Sequence, residues 1–196
     1  MFLLKALPEL ISAGLLFALW SEPHRFGLEW FRSGVLALMM EFFVIHAGGF
    51  LAVLINAPES TRLKRTLQGG GLAAGYLLFV GAFAWGFQAW WMLGAFAWFC
   101  FGQVQAVWRG GEPTERDRWI AMSSWALSVA VYLLSIFATL VADVPMLGAT
   151  PEVRDAAGFS GGGVWEEEPH RALAGAVLYF AIMGLSRPLF ALWQNR

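Results

Sequence analysis

The sequence predicts an all-α fold: a polytopic membrane protein, a bundle of about six transmembrane helices. It forms one transmembrane helical domain over residues 1–196, with a long outer loop at 143–171. Three observations predict this. The chain is 58% apolar and only 14% charged, whereas a soluble domain averages about 25% charged residues. Six apolar runs fill most of its 196 residues, each long enough to cross hydrocarbon as a helix. Most of the 11 tryptophans fall at or near the ends of those runs, where an indole sits among headgroups with its N–H wet.

The first run is Leu3–Trp20. Pro8 and Glu9 interrupt its early part and no small-x-small site precedes Ser21, so it reads as a retained helix rather than a signal peptide. Lys5 and Glu9 are four apart and suit an ion pair. The second run, Gly34–Asn56, carries Glu41 and His46. The third and fourth, Gln68–Phe87 and Ala89–Val107, are parted by so few residues that the turn between them must be tight, the alternative being one long interrupted segment. Gly71 and Gly75 in the third make a GxxxG packing motif. The fifth is Trp119–Ala142. The sixth, Ala172–Trp193, contains Pro188, which predicts a kink. The runs are continuous rather than alternating, which favours helices over a barrel.

Lys and Arg in short loops set orientation. Arg62, Lys64 and Arg65 follow the second run, and Arg109, Arg116 and Arg118 follow the fourth. Both loops, and with them both termini, are therefore expected in the cytoplasm. The 143–171 loop lies outside, with a short helix expected at 151–157 because Pro151 suits a first turn. Gly158-Phe159-Ser160-Gly161 matches a GxSG string, but its serine lies in a loop, not at the start of a membrane helix.

An ionisable side chain in hydrocarbon costs at least about 2.5 kcal/mol and usually has a partner or a task. On a helix, Glu41, Ile45, Gly48, Ala52 and Ile55 share one face. Its small residues predict a face turned into the bundle, with His46 at the edge near Gly49. His46 lies about 140° round from Glu41 and about 7.5 Å along the axis, so one ion cannot easily be held by both. Ser124, Ser128, Ser135 and Thr139 form a polar stripe on the fifth run. Interhelical hydrogen bonding is its plainer reading, and a polar path is the sharper one.

One tetrapeptide recurs: Glu22-Pro23-His24-Arg25 and Glu168-Pro169-His170-Arg171. Both copies are expected on the outer side. His24 and His170 with Glu22 and Glu168 have the chemistry of a divalent metal site, though no HExxH or His-x-His spacing supports it. Cys100 is the only cysteine, which excludes an intrachain disulfide and a cysteine-based metal cluster.

Phe42-Phe43-Val44-Ile45-His46-Ala47-Gly48-Gly49-Phe50 resembles the FFxxHxGxF segment of an uncharacterised family of bacterial polytopic inner-membrane proteins. The likeness covers the first two runs. It departs at Ala47, where the family more often has an aromatic residue. It implies a bacterial inner membrane and no assigned activity.

The leading expectation is non-catalytic: an intramembrane polar site around Glu41 and His46 that binds or passes a small solute, proton or metal ion. One alternative is an accessory or assembly subunit of a larger membrane complex. Another is a membrane metalloenzyme using the outer His/Glu cluster. The expected surroundings are the lipid bilayer and either a membrane-protein partner or further copies of the chain. A net charge of −1 gives no reason to expect nucleic acid.

Overall fold

The computed structural model describes residues 6–55, 61–109, 113–159 and 162–194, with the backbone alone at 55, 107, 109 and 187–194. Every regular element among them is helical: α1 (Leu7–Ser21), α2 (Pro23–Phe26), α3 (Leu28–Ile55), α4 (Arg62–Gly86), α5 (Trp91–Arg109), α6 (Glu115–Val141), α7 (Pro151–Ala156), α8 (Val164–Glu167) and α9 (Pro169–Gln194). Helices α3, α4 and α6 are long and apolar enough to cross a membrane, and α1 is a shorter apolar helix.

Several boundaries differ from the sequence reading because capping chemistry extends the helices beyond their apolar runs. Helix α3 begins at Leu28, not Gly34. Glu29 suits its first turn, and Phe31 is completely buried with its ring edge-on to Phe159 at 6.3 Å. Helix α4 starts at Arg62 because the Thr61 hydroxyl accepts the Lys64 N–H at 3.3 Å. Helix α6 starts at Glu115 behind a reciprocal cap. The Asp117 carboxylate accepts the Thr114 N–H at 2.9 Å, and the Thr114 hydroxyl accepts the Asp117 N–H at 3.2 Å. Pro8 does not break α1; it occupies the first turn, where its missing N–H costs nothing. Lys5, the expected partner of Glu9, lies outside the described residues.

Helices α4 and α5 are separate. Gln88 takes φ 52°, and the Ala89 N–H closes back on the Ala84 carbonyl at 2.8 Å. This is the left-handed helix stop in which a late N–H satisfies an orphan carbonyl. Between α6 and α9 the connecting segment carries two short helices. The expected turn at 151–157 is present as α7, capped by Thr150. Helix α9 is continuous from Pro169 to Gln194, so Pro188 does not end it.

The chain divides into two packing units. One holds residues up to Met39 and from Ser128 onward; the other is Met40–Leu127. In the first, α1 runs along α9. Gly184 admits the Leu10 and Glu9 side chains against α9, and Gly34 receives Leu16, Leu19 and Leu173. The α6–α9 connection is tied to the end of α1: the Trp20 indole donates to the Met146 carbonyl at 3.1 Å and the Gly148 N–H to the Trp20 carbonyl at 3.1 Å. In the second unit, α4 packs along α5. There Gly49 lies under the Trp125 indole, which donates to the Ile45 carbonyl at 2.9 Å. A Cβ on Gly49 would stand no more than 2.9 Å from three atoms of that ring.

Gly49→Ala is therefore expected to destabilise the protein by about 1–3 kcal/mol, the usual cost of overpacking against a rigid group. Gly94→Ala is the matched control, because nothing lies within 4 Å of a Cβ there. Thermal unfolding in one detergent should separate them, with Gly49→Ala melting lower and Gly94→Ala unchanged or slightly higher.

Candidate functional site

The intramembrane polar residues divide between the two units. Glu41, His46 and Ser124 belong to Met40–Leu127, and Ser128, Ser135 and Thr139 to the other.

On α3 the buried positions form two flanks, Phe43, Ala47 and Leu51 on one and Ile45 and Gly49 on the other. Glu41, Gly48 and Ala52 are half-buried, so the small face packs only in part. His46 is exposed, along with Phe42, Phe50 and Val53. These positions recur at helical spacing, which makes one outward stripe. His46 is held within it. Phe42 stacks on the imidazole at 5.5 Å and 12°, and Phe50 meets it edge-on at 5.2 Å. Tyr76 of α4 contacts it edge-on at 5.9 Å and hydrogen-bonds its Nδ1 at 2.7 Å. Tyr76 in turn leans on Phe96 of α5 at 6.0 Å. The sequence reading did not single out Tyr76. The available signal was a phenol inside an apolar run, since a buried or membrane-facing hydroxyl must find a partner.

The stripe on α6 is less uniform than its spacing suggests. Ser124 and Ser128 are half-buried, Ser135 is completely buried and Thr139 is 6% exposed. The Thr139 hydroxyl bonds back to the Ser135 and Ile136 carbonyls of its own helix, at 3.2 and 3.0 Å. This is intrahelical bonding, not the interhelical bonding expected. The Ser135 hydroxyl is enclosed with no hydrogen-bond partner among the described residues. The nearby Tyr132 hydroxyl donates to the Leu38 carbonyl of α3 at 3.1 Å.

The two Glu-Pro-His-Arg copies adopt one local structure. Glu22 has φ −135°, ψ 61° and Glu168 has φ −126°, ψ 64°. Each is followed by a fully buried proline that starts a helix. In each, Arg returns its side chain to the Glu three positions back, at 3.2 Å for Arg25–Glu22 and 2.8 Å for Arg171–Glu168. Their surroundings differ. His24 and Arg25 are exposed, whereas His170 is buried, which pushes its pKa down; Glu168 opposes that shift and Arg171 adds to it. Arg171 also donates to the Thr139 and Ala142 carbonyls at 2.5 and 2.9 Å. It thereby closes the C-terminal end of α6, where a cation suits the helix dipole. Among the described residues no three His, Cys, Asp or Glu side chains stand close enough to hold a metal ion. What the two copies share is the start of a helix, α2 at Pro23 and α9 at Pro169.

No protein-family model, no curated protein and no solved structure matches this chain.

The two arginines should respond differently to the same change. Arg171→Gln removes charged donors from two carbonyls and is expected to cost about 2–3 kcal/mol. Arg25→Gln breaks only an exposed pair and should leave unfolding unchanged within error. Equal losses in a chemical or thermal melt would refute this division of labour.

Proposed function

We propose that this is an integral membrane protein of the bacterial inner membrane. Six of its helices cross the bilayer, both termini are cytoplasmic, and it binds a small membrane-dissolved molecule at His46 and Tyr76. The observation that carries the reading is the hydrogen-bonded imidazole exposed on an apolar helix. Intramembrane ionisable groups nearly always face protein or water, so an outward one implies a ligand that covers it. The reading keeps the binding half of the expected activity. It does not take up passage of protons or ions through the bundle. Glu41 belongs to the same helix, half-buried five residues before His46.

A second reading is favoured by a separate observation. Gly71 and Gly75 of α4 have nothing within 4 Å of where a Cβ would stand. Among the described residues the GxxxG motif therefore has no packing neighbour, which suits an accessory subunit whose larger partner supplies the facing helix.

Mass spectrometry of the purified protein discriminates the two. A hydrophobic small molecule that co-purifies with the unaltered chain and is lost from His46→Phe supports binding. A co-purifying protein that is lost from a Gly71→Ile, Gly75→Ile double variant and retained by His46→Phe supports the subunit. If neither is retained in a His46-dependent way, the binding reading fails.

Topology is tested independently. Single cysteines at Glu115 and Asp155, in a Cys100→Ala background, should react with an impermeant thiol reagent from opposite sides, Asp155 from outside. Labelling of both from one side would overturn the orientation.

A further inference from the structure

The protonation pattern of the His46–Tyr76 pair identifies the class of molecule that would cover it, an inference that rests on the binding reading above. In a neutral imidazole one nitrogen donates and the other accepts. If the Tyr76 hydroxyl donates to Nδ1, one polar group is left over, the Nε2–H. If instead Nδ1–H donates to the phenol oxygen, two are left over: the Tyr76 O–H and the Nε2 lone pair. Neither residue has another hydrogen bond among the described residues. With no water in hydrocarbon, each unsatisfied group costs several kcal/mol, so the first arrangement wins. His46 therefore presents a single N–H donor, on the exposed side of α3, flanked by the Phe42 and Phe50 rings.

Depth limits what can accept that proton. Helix α3 has 28 residues, about 42 Å at 1.5 Å per residue, more than the roughly 30 Å of hydrocarbon. His46 lies one residue from the middle of the apolar run Gly34–Asn56. Ester carbonyls of phospholipids are held at the headgroup boundary, on the order of 15 Å away. Fatty carboxylates are held there too by their charge. The acceptor must be neutral, carried on an apolar tail and free to enter the hydrocarbon centre. A flat ring would gain further from the aromatic side chains on either side.

We propose that His46 and Tyr76 form a binding site for the ring carbonyl of an isoprenoid quinone. The Nε2–H of His46 donates to the carbonyl oxygen, and Tyr76 is a positioning residue that fixes the imidazole tautomer. The proposal is one of binding and assigns no electron transfer.

The test uses the full chain with ¹⁵N-labelled histidine in phosphatidylcholine nanodiscs, titrated with decylubiquinone. The expected result is a saturable downfield shift of the His46 Nε2–H resonance, together with saturable quenching of intrinsic fluorescence. His46→Phe keeps the aromatic stripe, removes the donor and should weaken quenching about tenfold, the equivalent of about 1.4 kcal/mol. Tyr76→Phe should weaken it several-fold, with loss of the single-tautomer spectrum. An unmoved Nε2–H resonance overturns the proposal without needing any variant to fold, and so does equal affinity of His46→Phe. If the resonance moves instead when ester lipids are replaced by ether lipids, a phospholipid carbonyl is the acceptor and the quinone assignment falls. If His46→Phe converts a dimer to a monomer in native mass spectrometry, a second copy covers the site and the assignment falls. A His46-dependent amphiphile that co-purifies but is not displaced by decylubiquinone would sink the quinone class and leave the binding site standing.

Discussion

Hydrogen-bond donors among apolar helices have to be satisfied without water, and much of the packing follows from that constraint. The Trp125 indole reaches the Ile45 carbonyl, which requires Gly49 beneath the ring. The Tyr132 hydroxyl reaches the Leu38 carbonyl, and the Trp20 indole reaches Met146 in the connection between α6 and α9. In each case an aromatic body supplies buried area and its polar tip ties one element to another. Tyr76 is the exception. It bonds a side chain rather than a carbonyl, and that side chain has a second polar atom. The requirement for satisfaction is thereby passed to the exposed side of α3 at His46, where none of the described residues meets it.

The Glu-Pro-His-Arg repeats separate local from tertiary determination. Both copies place Glu just before a proline-led helix with nearly the same backbone angles and the same returning arginine. Proline fixes φ and lacks the N–H that a first turn would orphan, and the carboxylate and guanidinium complete the turn. Four residues suffice for that. Their surroundings decide the rest. Arg171 finishes α6 through two backbone carbonyls, whereas Arg25 faces outward. The burial of His170 against the exposure of His24 has the same origin.

Helix ends show where periodicity misleads. Apolar runs placed the helix centres well, because a long continuous run admits few other structures. They placed the N-terminal ends of α3, α4 and α6 several residues late. Thr61 and the Thr114–Asp117 pair are capping signals that hydropathy ignores. The division between α4 and α5 rested on Gln88 in a left-handed conformation, a state that glycine would have announced and glutamine does not.

The sequence by itself determined the all-helical character, the apolar composition, the position of the long helices and the presence of Glu41 and His46 among apolar neighbours. Each of these depends on what a stretch of chain can do alone. Only the tertiary structure decided which way those side chains face. In a soluble helix the polar face announces the solvent side, but α3 is apolar all round and its helical wheel carries no such signal. Whether small residues or aromatics are covered depends on the shape of the neighbouring helices. Trp125 over Gly49 buries one side of α3, and Tyr76 meets His46 on another.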